Sequence, residues 1–231
     1  MSTDKVIVAL DKTPWGDIER LTSALKGQPC WMKVGMELFY AHGPKAVEYI
    51  SAQGFPVFLD LKLHDIPTTV HNWVLTLGEL RIDMMNVHAS GGPDRLEKSF
   101  EALEKSGRHD VKLIAVTMLT STTEEMMQNS LGIAAPLSQT VLSYATMTKN
   151  AGLHGVVCSP LESELLKQHL GKSFLCVTPG IRPVGVACDD QKRLSTPKQA
   201  LKHGSDFLVV GRAITGSADP RLALTTLFEG N

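Results

Sequence analysis

Short apolar runs alternate with longer amphipathic stretches along the whole chain. Each run is about as long as one β-strand, and most runs are followed by a cluster of Gly, Pro, Ser, Thr or Asp and then by apolar residues at helical spacing. An unbroken apolar strand is buried on both faces, which indicates a parallel sheet covered by helices. The predicted strands are residues 6–10, 31–36, 57–61, 84–88, 113–119, 155–158, 175–178 and 207–210.

The stretches between these strands have the periodicity of amphipathic helices. The clearest predicted helices are residues 15–26, 44–53, 68–80, 93–106 and 138–151. Because the strand–helix units follow one another without a linker or a low-complexity segment, a closed barrel is favoured over an open sheet. The sequence therefore predicts an α/β protein, a (β/α)₈ TIM barrel, with one catalytic domain spanning residues 1–231.

Composition narrows the class of partner and the compartment. The formal net charge of −1 on 231 residues lacks the basic excess that a nucleic-acid or anionic membrane surface requires. No stretch approaches the ~20 apolar residues that span a bilayer, and the N-terminus lacks the apolar core of a signal peptide. The four scattered cysteines form no CxxC pair and are expected to be free thiols. We expect a cytoplasmic protein that binds neither nucleic acid nor membrane.

Charged residues concentrate at the end of the third predicted strand. In a (β/α)₈ barrel the active site lies at the carboxyl ends of the strands. Asp60 and Lys62 are two residues apart, so both side chains should point into the barrel mouth, with Asp65 following. Buried charges need partners, and Lys33 on the neighbouring strand is the obvious one. The pattern predicts an alternating array of lysines and aspartates; the alternative is a salt-bridge network that only closes the barrel.

The eighth strand ends in Gly211 and Arg212. Loops after strands seven and eight commonly form the phosphate site of these barrels, where a guanidinium supplies two parallel hydrogen bonds. The pair is therefore predicted to bind phosphate, although Gly-Arg by itself is also typical of an ordinary surface turn. The irregular stretch 180–193 follows strand seven and is either a ligand-covering loop or a plain crossing loop.

Histidines and cysteines give weaker signals. His64 and His88 have the side chain best suited to acid–base chemistry at neutral pH, but their positions favour a supporting role. No His, Asp or Glu set has a metal-ligand spacing such as HExxH, so no metal and no other cofactor is predicted. Cys188 lies in a polar loop, and no histidine is visibly arranged to activate it.

The run DLKLHDIPTT at residues 60–69 resembles the signature of the orotidine 5′-phosphate decarboxylase family in its bacterial form. Other blocks resemble the same family in the same order, and together they cover essentially the whole chain. These blocks are VALD at 8–11, KVG at 33–35, NVHASGG at 86–92, AVTMLTS at 115–121, VVCS at 156–159, VTPGIRP at 177–183 and VGR at 210–212.

The resemblance implies a role for each matching residue. It implies a charged tetrad in which Asp65 enters the active site of the other subunit of a homodimer, with Thr69 contacting the ribose beside it. It further implies that Lys62 donates a proton to C6 of the pyrimidine as the substrate becomes uridine 5′-phosphate. The tetrad would be Lys33, Asp60, Lys62 and Asp65. The ribose would contact Asp11 and Lys33, the pyrimidine would contact Thr120 and Ser121, and the phosphate would contact Gly211 and Arg212. Arg182 and Gln191 would lie on the loop that covers the ligand.

Two other functions remain open from the residues. A related barrel decarboxylates a keto-sugar phosphate through a metal-stabilised enediolate, but it needs a carboxylate on strand two where this chain has Lys33. A barrel that binds a phosphorylated metabolite without catalysis would be expected to lack Lys62 or Asp65, and both are present. One fold hosts many functions, so the fold alone does not decide among these possible functions.

Overall fold

Eight parallel strands close into a barrel in which each strand pairs with its neighbours in sequence order and β1 pairs with β8. The computed structural model describes residues 3–11, 14–183 and 193–229. The predicted fold class is confirmed. The strands are β1 Val6–Ala9, β2 Trp31–Gly35, β3 Val57–Leu63, β4 Met84–His88, β5 Lys112–Val116, β6 Gly155–Val157, β7 Leu175–Thr178 and β8 Phe207–Val210.

Helices follow the strands and cover the outside of the barrel. Several begin with proline at the first helical position, where the missing N–H costs no hydrogen bond. No helix in the described ranges is long and apolar enough to cross a membrane. The helices are α1 Trp15–Leu25, α2 Met36–His42, α3 Pro44–Ala52, α4 Pro67–Gly78, α5 Pro93–Lys105, α6 Glu124–Asn129, α7 Leu137–Asn150, α8 Ser163–Leu170, α9 Pro197–Lys202, α10 Arg212–Thr215 and α11 Pro220–Thr225.

The apolar core lies in two compartments separated by the sheet. The larger one fills the space between strands and helices, with every second strand residue pointing outward into it. The smaller one lies inside the barrel, where three of its residues also form part of a cavity floor. The inner residues are Ile7, Ala9, Phe58, Met84, Ile114, Val177 and Val209.

The observed strand ends differ from the predicted ones mainly at β5. The apolar run suggested a strand to residue 119, but β5 ends at Val116. Both the backbone N–H and the hydroxyl of Thr117 donate to the carbonyl of Val157, at 3.1 and 3.0 Å. These two hydrogen bonds hold Thr117 against β6 at the point where the chain leaves the sheet.

Candidate active site

A cavity of about 500 Å³ opens at the carboxyl ends of the strands. It brings together, from six different strand ends and loops, nearly all of the site residues predicted to act within one subunit. These lining residues are Asp11, Lys33, Asp60, Lys62, Thr120, Ser121, Arg182, Gly211 and Arg212. Charged groups line the part of the cavity formed by β1, β2 and β3, and an arginine-containing turn lines the neighbouring part at the end of β8, which pairs with β1.

The charged side chains form a continuous chain of ion pairs. Lys33 Nζ lies 2.9 Å from Asp11 Oδ1 and 3.2 Å from Asp60 Oδ2. Asp60 Oδ1 lies 2.8 Å from Lys62 Nζ. Lys33 and Asp60 are almost fully buried, at 6% and 7% exposure, whereas Lys62 is only half-buried and has its ammonium in the cavity. The alternation Lys33–Asp60–Lys62 is therefore present, and Asp11 extends it beyond Lys33; Asp65, predicted as the aspartate after Lys62, is not part of this chain of ion pairs within the described residues of one subunit.

The ion pairs fix the charge of both buried members. Burial by itself lowers the pKa of Lys33, but the carboxylates of Asp60 and Asp11 outweigh it and raise that pKa. Burial by itself raises the pKa of Asp60, but the ammonium groups of Lys33 and Lys62 outweigh it and lower that pKa. Lys33 is thus a cation and Asp60 an anion at neutral pH, and Asp60 can hold the Lys62 ammonium in place by charge.

Lys62 has a left-handed backbone conformation, with φ of 51°, where β3 changes its pairing register with β4. A non-glycine residue in this region costs roughly 1–3 kcal/mol and needs outside support. The Lys62 N–H donates to Oδ1 of Asn86 at 2.8 Å, and Nδ2 of Asn86 donates to Asp60 Oδ1 at 2.7 Å. One fully buried amide on β4 therefore fixes both the backbone of Lys62 and the carboxylate that pairs with it.

Asn86 was not predicted as a site residue, although it lay in one of the family-like blocks. The available signal was a polar side chain at an inward position of the apolar run 84–88, between Met84 and His88. Gly35 also has a local reason. A Cβ there would lie 2.9 Å from Lys33 Nζ and 3.0 Å from Asp11 Oδ1, so the missing side chain leaves room for this ion pair.

The part of the cavity wall next to Asp11 is formed where β8, which pairs with β1, passes into α10. Gly211 precedes the helix, and Arg212 is its first residue. Arg182, from the loop after β7, also lines the cavity. Two backbone hydrogen bonds fix the base of this loop: the N–H of Arg182 donates to the carbonyl of Ser195, and the N–H of Ser195 donates to the carbonyl of Gly180, both at 3.0 Å. The predicted loop residue Gln191, like Cys188, lies outside the described residues.

Asp65 and Thr69 do not line the cavity of their own chain. Asp65 is exposed at the turn between β3 and α4, where its Oδ1 accepts from the N–H of Ile66 at 2.7 Å, and Thr69 is half-buried on the first turn of α4. The same surface exposes 67% of Ile66 and 38% of Trp73. Two residues predicted to serve the site thus lie together beside exposed apolar side chains.

His64 and His88 lie beside the charged chain, with ring centroids 5.2 Å apart. Burial, together with the nearby His64, Lys62 and Arg95, lowers the pKa of His88 to about 4. Burial and Arg95 also lower the pKa of His64. Neither ring lines the cavity, which agrees with a supporting role.

A metal site is not evident in the described ranges, which contain no group of three or more His, Cys, Asp and Glu side chains able to hold an ion. The two carboxylates beside Lys33 that could attract one, the exposed Asp11 and the buried Asp60, are already bridged by the ammonium of Lys33. A divalent cation here would be repelled by Lys33.

Comparisons with known proteins agree with this geometry. The model of the orotidine 5′-phosphate decarboxylase / HUMPS family matches residues 4–227. Orotidine 5′-phosphate decarboxylase of Staphylococcus haemolyticus is 52% identical over 202 residues, which cover 87% of each chain. The enzyme of the same name from Lactococcus lactis subsp. cremoris is 47% identical over 233 residues, 99% of this chain and 98% of its own.

Solved structures give the same result for the fold. The crystal structure of orotidine 5′-phosphate decarboxylase from Lactobacillus acidophilus superposes with a TM-score of 0.85 at 40% identity and covers 97% of both chains. The barrel, the residues that line its mouth and the full-length similarity therefore converge, and the chain belongs to the orotidine 5′-phosphate decarboxylase / HUMPS family.

Proposed function

We propose that this chain decarboxylates orotidine 5′-phosphate to uridine 5′-phosphate, a step of pyrimidine biosynthesis, with Lys62 as the proton donor and without a cofactor. The observation that carries the proposal is the ion-pair chain that holds the Lys62 ammonium in a cavity that Gly211 and Arg212 also line. Family membership and the names of the most similar relatives support it.

Lys62 supplies the chemistry at the reacting carbon. Cleavage of the bond between C6 and the carboxylate releases CO₂ and leaves the electron pair on C6. The ammonium of Lys62 stabilises that charge and then transfers a proton to C6, and the resulting amine regains a proton from water. Fixed charges in a water-poor cavity stabilise a developing charge without reorganisation, so we expect this electrostatic contribution to be the largest.

Asp60 has two functions in this scheme. It orients the Lys62 ammonium, because its own position is fixed by Lys33 and Asn86. It also lies near the substrate carboxylate, where its negative charge disfavours the bound substrate more than the transition state, from which the carboxylate charge is leaving as CO₂. Only such a difference between the two states accelerates the reaction.

The remaining lining residues bind the parts of the substrate that do not react. Asp11 and Lys33 hold the ribose hydroxyls, and Thr120, with Ser121 beside it, contacts the pyrimidine. Arg212, with the backbone at Gly211, binds the phosphate, while Arg182 and Gln191 belong to the loop that covers the ligand. Binding energy from the phosphate, far from C6, drives closure over the substrate and so contributes to the rate.

We also propose a homodimer in which each subunit completes the other's site. Asp65 and Thr69 lie outside their own cavity, next to the exposed apolar side chains of Ile66 and Trp73, which a second copy would cover. The partner's Asp65 would join the charged chain, and the partner's Thr69 would contact the ribose.

The domain and the compartment are part of the same proposal. Residues 1–231 form one catalytic domain, which acts in the cytoplasm on a small phosphorylated nucleotide. Cys30, Cys158 and Cys176 are buried free thiols, as expected in a reducing compartment. Neither the keto-sugar phosphate reaction nor ligand binding without catalysis is favoured by a particular contact, because Lys33 occupies the place a metal would need and Lys62 is retained.

The test is to follow the orotate absorbance band after mixing purified protein with orotidine 5′-phosphate, with and without excess EDTA. We expect loss of the band at the same rate in both samples. No change with folded protein would overturn the substrate assignment, and activity that EDTA abolishes and Mg²⁺ restores would overturn the cofactor-free mechanism. Sedimentation of the same sample should give a dimer; a monomer that turns over at the full rate would contradict the shared site.

A further inference from the structure

We propose that Arg95 is a positioning residue that holds the turn carrying Asp65, and that it therefore acts on the active site of the partner subunit and not on its own. The inference rests on the shared site proposed above, and it concerns a residue that is not part of the ion-pair chain Asp11–Lys33–Asp60–Lys62.

Arg95 connects two consecutive strand–helix units of the barrel. It lies in the first turn of α5, after β4, and is only 5% exposed. Its Nη1 donates to the backbone carbonyl of Asp65 at 3.1 Å, in the turn between β3 and α4. The Asp65 carboxylate in turn accepts from the N–H of Ile66 at 2.7 Å. The guanidinium thus fixes the backbone, and the backbone fixes the direction of the carboxylate.

The main chain beside Arg95 leaves space for its guanidinium at Gly91. A Cβ at Gly91 would lie 1.5 Å from Nε and 1.7 Å from Cζ of Arg95, so the guanidinium occupies the space that any other residue at 91 would fill. Gly91 has a negative φ, so its missing side chain is needed for this close approach and not for a left-handed backbone.

Burying Arg95 is energetically unfavourable for the fold. Among the residues that the structure describes, its Nε is buried without a hydrogen-bond partner, and a buried polar group left unpaired is destabilising. Burial lowers the pKa of Arg95, and the charge of Asp65 only partly offsets this. A buried cation that donates to the carbonyl of Asp65 and lies near its charge fits the control of Asp65 better than it fits core stability.

The first experiment compares homodimers. For R95M we expect kcat/KM to fall by about 100-fold, because a displacement near 1 Å of a reacting group has that effect. G91A, which displaces the guanidinium, should reproduce this loss, and R95K, which keeps the charge without the planar fork, should be intermediate. R108M is the matched control: Arg108 donates to the carbonyls of Gly78 and Leu80 at 2.6 and 2.9 Å, at the other end of α4. It should lower the melting temperature and leave kcat/KM unchanged.

The second experiment separates action in trans from support of the chain's own barrel. Two variants are co-expressed with different tags, and the doubly tagged hybrid dimer is purified. In the R95M/K62A hybrid, one site combines Lys62 of the R95M chain with Asp65 of the K62A chain, and both are correctly placed. We therefore expect about half the activity of the wild-type dimer. In the R95M/D65N hybrid no site has both groups in place, and we expect no recovery.

The D65N/K62A hybrid tests the underlying shared site and should also recover about half of the wild-type activity. No recovery there contradicts the shared site itself. Recovery there, with none in the R95M/K62A hybrid, overturns the role of Arg95 alone, because it shows that Arg95 serves the barrel in which it lies. Equal recovery of R95M with K62A and with D65N overturns it as well. The G91A hybrids, run in parallel, give the same test should R95M fold poorly.

Discussion

Asn86 is the residue on which the geometry of the charged chain depends most. It is fully buried, its oxygen holds the strained backbone of Lys62, and its nitrogen holds Asp60. A single amide therefore controls the position of the proposed proton donor through two routes.

For Asn86→Ala we expect both stability and turnover to fall. The loss leaves the Lys62 N–H without an acceptor, which costs about 1–3 kcal/mol of unfolding free energy. Displacement of Lys62 should reduce kcat by about 100-fold. Urea denaturation and initial rates check the two effects. Thr148→Val is the control, since Thr148 is also fully buried but lies in α7, where its hydroxyl donates to the Tyr144 carbonyl. Unchanged kcat in the Asn86 variant would contradict its role.

Arg212 is assigned to the phosphate, and this predicts an effect that depends on the substrate. A charged hydrogen bond contributes about 1.5–3 kcal/mol, so Arg212→Ala should weaken binding of uridine 5′-phosphate by roughly 10- to 150-fold. Binding of uridine, which has no phosphate, should change little. Titration calorimetry with both ligands measures this difference, and equal losses for the two would refute the assignment.

At the scale of elements, the end of β3 is where regular structure gives way to the site. The alternation of side chains along a strand predicts that Asp60 and Lys62 share one face. Both do line the cavity, but the strand is irregular there, with Lys62 in a left-handed conformation and a register shift against β4. Hydrophobic patterning encodes which face is buried; it does not encode a local distortion held by one hydrogen bond from the next strand.

The strands themselves were largely predictable for a physical reason. Buried parallel strands must be apolar throughout, so 84–88, 175–178 and 207–210 matched β4, β7 and β8 at both ends. Helix α5 shows the opposite case. Among its many charged residues an arginine reads as a surface group, and nothing in the helical pattern marks Arg95 as buried against Gly91.

The pair of histidines beside β3 and β4 predicts how stability depends on pH. The pKa of His88 is about 4 in the fold and near 6.5 in the unfolded chain, so between these values the unfolded state binds the extra proton. Stability therefore falls as pH decreases from about 6.5 to about 4. Because His88 is partly exposed, we discount the full effect of ~1.4 kcal/mol per pKa unit and expect roughly 1–2 kcal/mol.

His88→Asn should remove this part of the acid sensitivity. Urea unfolding at pH 7, 5.5 and 4.5 measures it, with His109→Asn, which removes an exposed imidazole, as the matched control. We expect a flatter dependence only in the His88 variant. Asp60, whose pKa is lowered, contributes a separate loss of stability below about pH 4. If the His88 variant and the wild type show the same pH dependence, the fold does not lower the pKa of His88, and this explanation is wrong.

At the scale of the whole molecule, the barrel brings residues from distant parts of the sequence to one mouth. Asp11, Lys62, Thr120 and Arg212 are spread over some two hundred residues of the chain and line the same cavity, because the carboxyl ends of parallel strands meet there. Positions within one subunit were therefore accessible from sequence. The placement of Asp65 outside its own cavity was implied only by the family resemblance, since no periodicity encodes a second subunit.

The most direct test of the account compares wild type and Lys62→Ala in two measurements on the same protein: turnover of orotidine 5′-phosphate by absorbance, and binding of uridine 5′-phosphate by calorimetry. Because Lys62 is assigned both charge stabilisation and proton transfer, we expect kcat to fall by about 10⁴-fold or more while product binding is largely retained. Turnover within about tenfold of wild type, equivalent to only ~1.4 kcal/mol of the barrier, would contradict the role of Lys62 as proton donor.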